Sequence, residues 1–342
     1  MLRVHLYGDF WNRQPLAYAP IRHRLADQIT YVDDPADAQI ALFSHSHDLT
    51  RHGRQLTETL ACHPNLRPVL LSEEPFWDTC WSPNHFDRYQ TWAPGPLPFA
   101  VLNHFTCDVF STRALPYFLL TDPRYIAHYR PLFDRNAGFT AAQWQARWQD
   151  ARWDAAFLAE RRDADRHGPA FPDHDVWGLS PLRSRITRHC KGHVLRMGKG
   201  WDGDAPRTEL PDWHADKLAL LDLNCRYVSA LENTHQSNYV TEKVFDAFAV
   251  GAVPLYIANA NHDVHRYVGA GSWVNMAERL PRPGAPKSYP FEASVAPSPD
   301  LTNAYVASQT RLARLFADQT TIDAELDALS DRLLRALIAQ VQ

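Results

Sequence analysis

The sequence predicts an α/β protein of two domains built on parallel sheet. Three observations predict it. The chain has 342 residues, about two domains at roughly 100–200 residues each. Its first 71 residues hold four short apolar, β-branched runs of strand length. Residues 227–257 place an apolar run, a polar loop, a helix-periodic stretch and a second apolar run in succession. Such a βαβ unit makes its two strands parallel.

Composition bounds the function. With 45% apolar residues the chain can bury a sizeable core. A net charge of −4 opposes nucleic-acid binding by phosphate neutralisation, so no nucleic-acid partner is expected. The 11 Trp and 25 Pro stand beside only 14 Gly. Ring-rich surfaces suit sugars and bases, and Trp is equally a core residue.

The elements follow in order. Residues 3–7, 28–32, 40–43 and 68–71 read as strands, the fourth ending in Ser72-Glu73-Glu74-Pro75. Residues 78–116, rich in Pro, Trp, Phe and Asn, read as long ordered loops. From Thr140 a helix places Trp144, Trp148 and Ala151 on one face, and Ala155–Leu158 can open the strands of a second domain. The expected division is residues 1–150, residues 151–320 and a terminal helix over 321–342. In the second half, Tyr227–Leu231 and Ala252–Ile257 are the strand runs. Between them Thr241 is the expected N-cap and Gly251 the expected stop. The last helix has Ile322, Leu326, Leu329, Leu333, Leu337 and Val341 on one stripe. Its basic residues, Arg332 and Arg335, are few for an interfacial anchor, so packing across the domains is expected ahead of peripheral membrane contact.

Five cysteines at wide spacings, with no Cys-x-x-Cys, fit scattered thiols in a reducing compartment. The opening MLRVHLYGDFWNRQ has no apolar signal core, and no run approaches the ~20 residues of a membrane span. A soluble, cytoplasmic protein is expected.

In an open parallel sheet, ligands settle beyond the carboxyl ends of the strands, where residues 232–243 fall. A helix start offers free N–H groups and partial positive charge to phosphate, and Lys243 adds a full charge. Glu242 would repel phosphate and suits sugar hydroxyls. On spacing alone, Glu242 reads first as a favourable first-turn carboxylate and Lys243 as a solvated lysine, ahead of a ligand role. The chain has neither GxGxxG nor a Walker sequence.

The run ALENTHQSNYVTEKVFDAFAVGAVPLYIA resembles the donor-binding signature of the family 10 glycosyltransferases, the α1,3/1,4-fucosyltransferases, in a soluble bacterial-type form. Glu232-Asn233-Thr234, Tyr239-Val240-Thr241-Glu242-Lys243 and Gly251-Ala252-Val253-Pro254 match its elements in order. Leu231 stands where Phe is usual, and Asn238 where animal members carry Asp. Upstream, Pro181-Leu182-Arg183 and Gly198-Lys199-Gly200 resemble the family's Arg-led helix and its glycine-basic turn.

The resemblance implies a GT-B-like architecture, two Rossmann-like domains facing across a cleft. It implies inverting transfer of L-fucose from GDP-fucose to a hydroxyl of a glycan acceptor, without a metal or other cofactor. Arg183 would grip the pyrophosphate as a planar fork. Glu232, Asn233, Tyr239, Glu242 and Lys243 would complete the donor site. The general base would be a glutamate after an N-terminal strand near Glu-x-Pro, which is Glu73, with Glu74 the alternative. Adjacent residues of extended chain point opposite ways, so one of the two should face the cleft. Trp77, Trp81 and Trp92 are evenly divided between acceptor stacking and core. Asp202-Gly203-Asp204 reads as a turn, and His45, His47 and His52 as a solvated loop, not a metal site. The rival readings are a transferase using another nucleotide-sugar and a non-catalytic nucleotide- or carbohydrate-binding relative.

Overall fold

The computed structural model describes residues 1–77, 84–92, 95, 97–201, 210–280 and 289–342. They divide into two compact units, residues 1–122 with 322–342, and residues 123–321. Both are α/β with parallel sheet, the class expected from the sequence.

The first unit runs β1 (Leu2–Leu6), α1 (Ala19–Arg24), β2 (Ile29–Tyr31), β3 (Ile40–Phe43), α2 (Ser46–Cys62), β4 (Arg67–Leu71), β5 (Tyr89–Trp92), β6 (Leu97–Leu102) and α3 (Tyr117–Leu120). Among the described residues its sheet has the order β2-β1-β3-β4-β6-β5. Only the β5–β6 pair is antiparallel. The four residues of β3, Ile-Ala-Leu-Phe, are all buried, the continuous apolar reading of a strand covered on both faces. Phe43, Leu56, Leu70, Leu97 and Val101 share one core cluster.

Two segments differ from the sequence expectation. Part of the stretch expected to be loops, residues 78–116, forms β5 and β6. The β4–β6 pairing covers Ala100–Leu102 only, so Pro98 costs the sheet no hydrogen bond on that side. The histidines expected in a solvated loop open α2. His45 is its N-cap, its ring nitrogen accepting from the His47 N–H at 3.1 Å. Only Asp48, Leu49, Gly53 and Leu56 of that helix are buried, too narrow an apolar face to show in the sequence.

The second unit runs α4 (Pro123–Ala137), α5 (Ala141–Gln149), β7 (Trp153–Leu158), β8 (Ala170–Phe171), β9 (Val176–Gly178), α6 (Ser180–His189), β10 (Cys190–Lys191), β11 (Val194–Met197), α7 (Trp213–Leu221), β12 (Cys225–Ser229), β13 (Thr234–His235), α8 (Glu242–Ala249), β14 (Val253–Tyr256), α9 (Val264–Tyr267), β15 (Val274–Asn275), β16 (Phe291–Glu292) and α10 (Pro299–Ala317). Its main sheet has the order β11-β7-β12-β14-β15, parallel throughout. The units part at residue 122 and not near 150, because α4 and α5 pack in the second unit. Tyr129 of α4 hydrogen-bonds Asp246, Arg135 pairs with Asp222, and Trp148 Nε1 donates to the Gly251 carbonyl at 2.9 Å. Gly251 stops α8 at φ +77°, and a Cβ there would lie 2.7 Å from Leu223 and 2.8 Å from Trp144.

The last helix, α11 (Gln319–Ile338), buries the expected stripe from Ile322 to Leu337, while Val341 lies past its end and is half-buried. From Ile322 onward it belongs to the first unit. There the Glu325 carboxylate accepts the Arg113 N–H at 2.8 Å and the Ala114 N–H, and Arg24 pairs with Asp323 and Asp327. Much of the tryptophan excess is core, since Trp144, Trp148, Trp153, Trp177 and Trp273 are buried.

Candidate active site

At the carboxyl edge of the second unit's sheet, the loop after β12 and the start of α8 form one hydrogen-bonded piece. Thr241 caps α8 in extended conformation. Glu232 locks the loop to that cap. Its Oε1 accepts the Thr241 N–H at 2.8 Å, and the Thr241 hydroxyl lies 2.9 and 2.7 Å from its two oxygens. Lys243 Nζ sits 3.1 Å from Glu232 Oε2, 2.9 Å from Thr241 Oγ1 and 3.5 Å from Glu242. Burial raises the Glu232 carboxyl, and Lys243 opposes that rise. Burial would raise Glu242 as well, but Lys243 and Lys217 outweigh it and hold this carboxyl below its usual range. Glu242 therefore stands ionised at neutral pH, an acceptor for hydroxyl donors.

Arg183 lies in the first turns of α6, 6% exposed. Its Nη1 donates to the Leu231 carbonyl at 3.2 Å and to Asn233 Oδ1 at 3.1 Å. This joins α6 to the loop that carries Glu232 and Asn233. Among the described residues, its Nε has no hydrogen-bond partner. Burial, with Arg162 nearby, lowers the guanidinium to about 10, so it remains a cation at neutral pH. A desolvated cation with an unspent donor favours an anion. Tyr239, fully buried, turns the same loop, its N–H donating to the Gln236 carbonyl at 3.0 Å.

One turn beyond Glu242, Asp246 anchors α8. Its carboxylate accepts from Tyr129 OH at 2.6 Å, His214 Nε2 at 2.7 Å and Lys217 Nζ at 2.5 Å. Burial opposes its ionisation, but Lys217 and His214 prevail and hold it well below the usual carboxylate range. Arg162, Asp246, Tyr129 and Lys217 carry no local sequence signal, because contacts between distant segments bring them here.

In the first unit, Glu73 follows β4 at the carboxyl edge and is 7% exposed. Tyr18 OH lies 2.8 Å from each carboxylate oxygen, and Tyr117 OH donates to Oε2 at 2.9 Å. Burial raises the Glu73 carboxyl to about 7, against the two phenols and with Glu74 reinforcing it. A carboxyl balanced near neutrality suits proton transfer. Glu74 is half-buried, and its carbonyl accepts from Ser72 Oγ at 2.7 Å. Trp77 is half-buried and stacks on Phe76 with centroids 5.2 Å apart. Trp92 packs against the first core. Trp81 and Asp202-Gly203-Asp204 lie outside the described residues. Among the described residues, no group of three or more His, Cys, Asp or Glu is placed to hold a metal ion, and no helix is long and apolar enough to cross a membrane.

Each unit is of the open parallel-sheet α/β class, in which ligands settle at the carboxyl edge of the sheet; the second unit carries cationic side chains at that edge and the first a buried glutamate. Residues 193–279 match the model of the glycosyltransferase family 10 (fucosyltransferase) C-terminal region, which bears out the resemblance read from the sequence. That span runs from β11 to β15, including residues 232–243 but neither Arg183 nor the first unit. The 4-galactosyl-N-acetylglucosaminide 3-alpha-L-fucosyltransferase 9 proteins of Mus musculus and Homo sapiens are each 28% identical over 54 residues, 16% of this chain. The chain thus matches only 15% of the length of these curated relatives. Crystal structures of alpha1,3-fucosyltransferase, with GDP-fucose and without, align over 95% of this chain and 81% of theirs. Their identities are 14% and 12% and their TM-scores 0.41 and 0.43.

Proposed function

We propose that this protein is an inverting glycosyltransferase that moves L-fucose from GDP-fucose onto a hydroxyl of an acceptor glycan. One observation carries the reading: buried Arg183, with its unspent Nε, is bonded to the loop that Glu232 locks to Lys243 at the start of α8. Arg183 and Lys243 would neutralise the donor pyrophosphate, and the N–H groups of α8 would add to them. Asn233 and Tyr239 shape the same loop, and Glu232 holds Lys243 in place. Glu242, ionised and close to the lysine, would accept hydroxyls of the sugar. Glu73 would take the acceptor proton as the oxygen attacks the anomeric carbon and the bond to GDP breaks. The leaving phosphate's charge would then rest on Arg183 and Lys243.

Two measurements test this. In a thermal-shift series over GDP-, UDP- and dTDP-sugars, GDP-fucose should give the largest rise, and Glu242→Ala and Lys243→Ala should abolish it. A larger rise with another donor would reassign the sugar. In a transfer assay with an N-acetyllactosamine-type acceptor, Glu73→Ala should bind GDP-fucose yet lose roughly 10²–10⁴-fold in turnover. Near-normal turnover would bring Glu74 forward as the base. Absence of transfer by the native protein to every acceptor tried, and of donor hydrolysis, would favour a binding protein.

A further inference from the structure

Glu73 is gripped by side chains from remote parts of the first unit. Tyr18, 55 residues upstream, spans both oxygens, and Tyr117, 44 residues downstream on α3, meets Oε2. His104, following β6, donates from Nε2 to the Glu73 carbonyl at 2.8 Å, with its ring stacked on Phe110 at 4.3 Å. Backbone and carboxylate are thus both pinned, directly beyond the sheet. A carboxylate offers about four lone-pair sites, and the two phenols bring one proton each, that of Tyr117 to Oε2 and that of Tyr18 shared between the two oxygens. Among the described residues, the greater remaining capacity is on Oε1, the oxygen that Tyr117 does not address.

We propose that Tyr18 and Tyr117 are positioning residues that orient the Glu73 carboxylate, leave Oε1 for the acceptor hydroxyl, and set its affinity for a proton. The proposal rests on Glu73 being the base. Phenolic donors favour the ionised carboxylate, in opposition to burial. The groups facing Glu73 are these two phenols, the adjacent Glu74, which disfavours the anion, Arg13, which favours it, and the His104 ring on its carbonyl. Of these, the two phenols alone donate to the carboxylate at the distances given above. Without them burial would act with less opposition, and Glu73 would hold a proton through the neutral range, where a base must be free.

The test is an infrared titration of the protonated carboxyl band that Glu73→Gln removes. In the native protein the band should titrate near pH 7. In Tyr18→Phe and Tyr117→Phe the midpoint should rise, with proton binding tighter on the order of tenfold in each. The acid limb of the fucosyl-transfer pH profile should rise with it, while donor affinity stays unchanged. Midpoints at the native value in both variants would overturn the proposal and leave the tyrosines as packing. Should Tyr117→Phe fail to fold, half-buried Tyr18 carries the test. Native turnover by Glu73→Gln would instead remove the base reading, a result separate from where the band titrates.

Discussion

A carboxylate placed under the surface of a sheet edge makes stability depend on pH. The folded protein holds the Glu73 proton up to about 7 against an ordinary value of 4.5. The folded state therefore binds this proton more tightly than the unfolded chain. The resulting stability is fully present below pH ~4.5 and is lost as pH rises toward 7. Glu73→Gln, which has no proton to lose, should gain on the native protein by roughly 2 kcal/mol between pH 5 and pH 8, read from urea unfolding at the two pH values. An equal gap at both would mean that Glu73 is ionised throughout. At this scale the sequence exposes what is local. Glu73 shows itself by following a strand, and Thr241 by preceding a helix-periodic stretch. Tyr18 and Tyr117 show nothing, since their partner is 55 and 44 residues away. Glu232, which the family resemblance puts in the donor site, has its oxygens engaged with Thr241 and Lys243, contacts to which the sequence gives no clue.

The elements that carry the candidate donor site are held from beneath. The apolar face of α8 buries Val244, Phe245, Ala247 and Phe248, a spacing plain in the sequence. Asp246 is as buried as its neighbours, and only its three partners make that tolerable. Asp246→Asn would take from half-buried Lys217 its nearest counter-charge and leave it facing Glu242, at a cost of roughly 3 kcal/mol in urea unfolding at pH 7. Because the folded carboxyl lies below its usual range, this contribution is present above pH ~4 and fades as pH falls further, so the gap should narrow in acid. A variant as stable as the native protein at pH 7 would show that the cluster contributes no net stability. Legibility followed periodicity here too. β1 to β4, β12, α8 and β14 were readable from unbroken apolar runs or a 3.6-residue rhythm. α2 hid because four buried positions among polar residues resemble a loop, and β6 hid behind Pro98 and the prolines around it.

At the scale of the whole molecule, the chain leaves its first unit at residue 122 and returns at 322. A tally of segments along the sequence cannot show this return, because an amphipathic stripe states that a helix packs without stating where. The first unit is thus completed only by the end of the chain, with Leu329, Leu333 and Leu337 in its interior and Glu325 satisfying the N–H groups of Arg113 and Ala114. The second unit is continuous and carries every residue proposed to hold the donor. Damage to α11 should therefore separate the two proposed roles, donor binding in the second unit and proton removal in the first. Leu333, fully buried, becomes a cavity in Leu333→Ala, costing roughly 2–5 kcal/mol. Hydrogen exchange should then rise in β1, β3 and β4 while β7, β12 and β14 keep native protection. GDP-fucose should bind Leu333→Ala with native affinity in calorimetry, and fucosyl transfer should fall as the setting of Glu73 loosens. Equal loss of protection in both sheets would mean that the units unfold as one, and the donor site would then depend on the last helix as much as the base does.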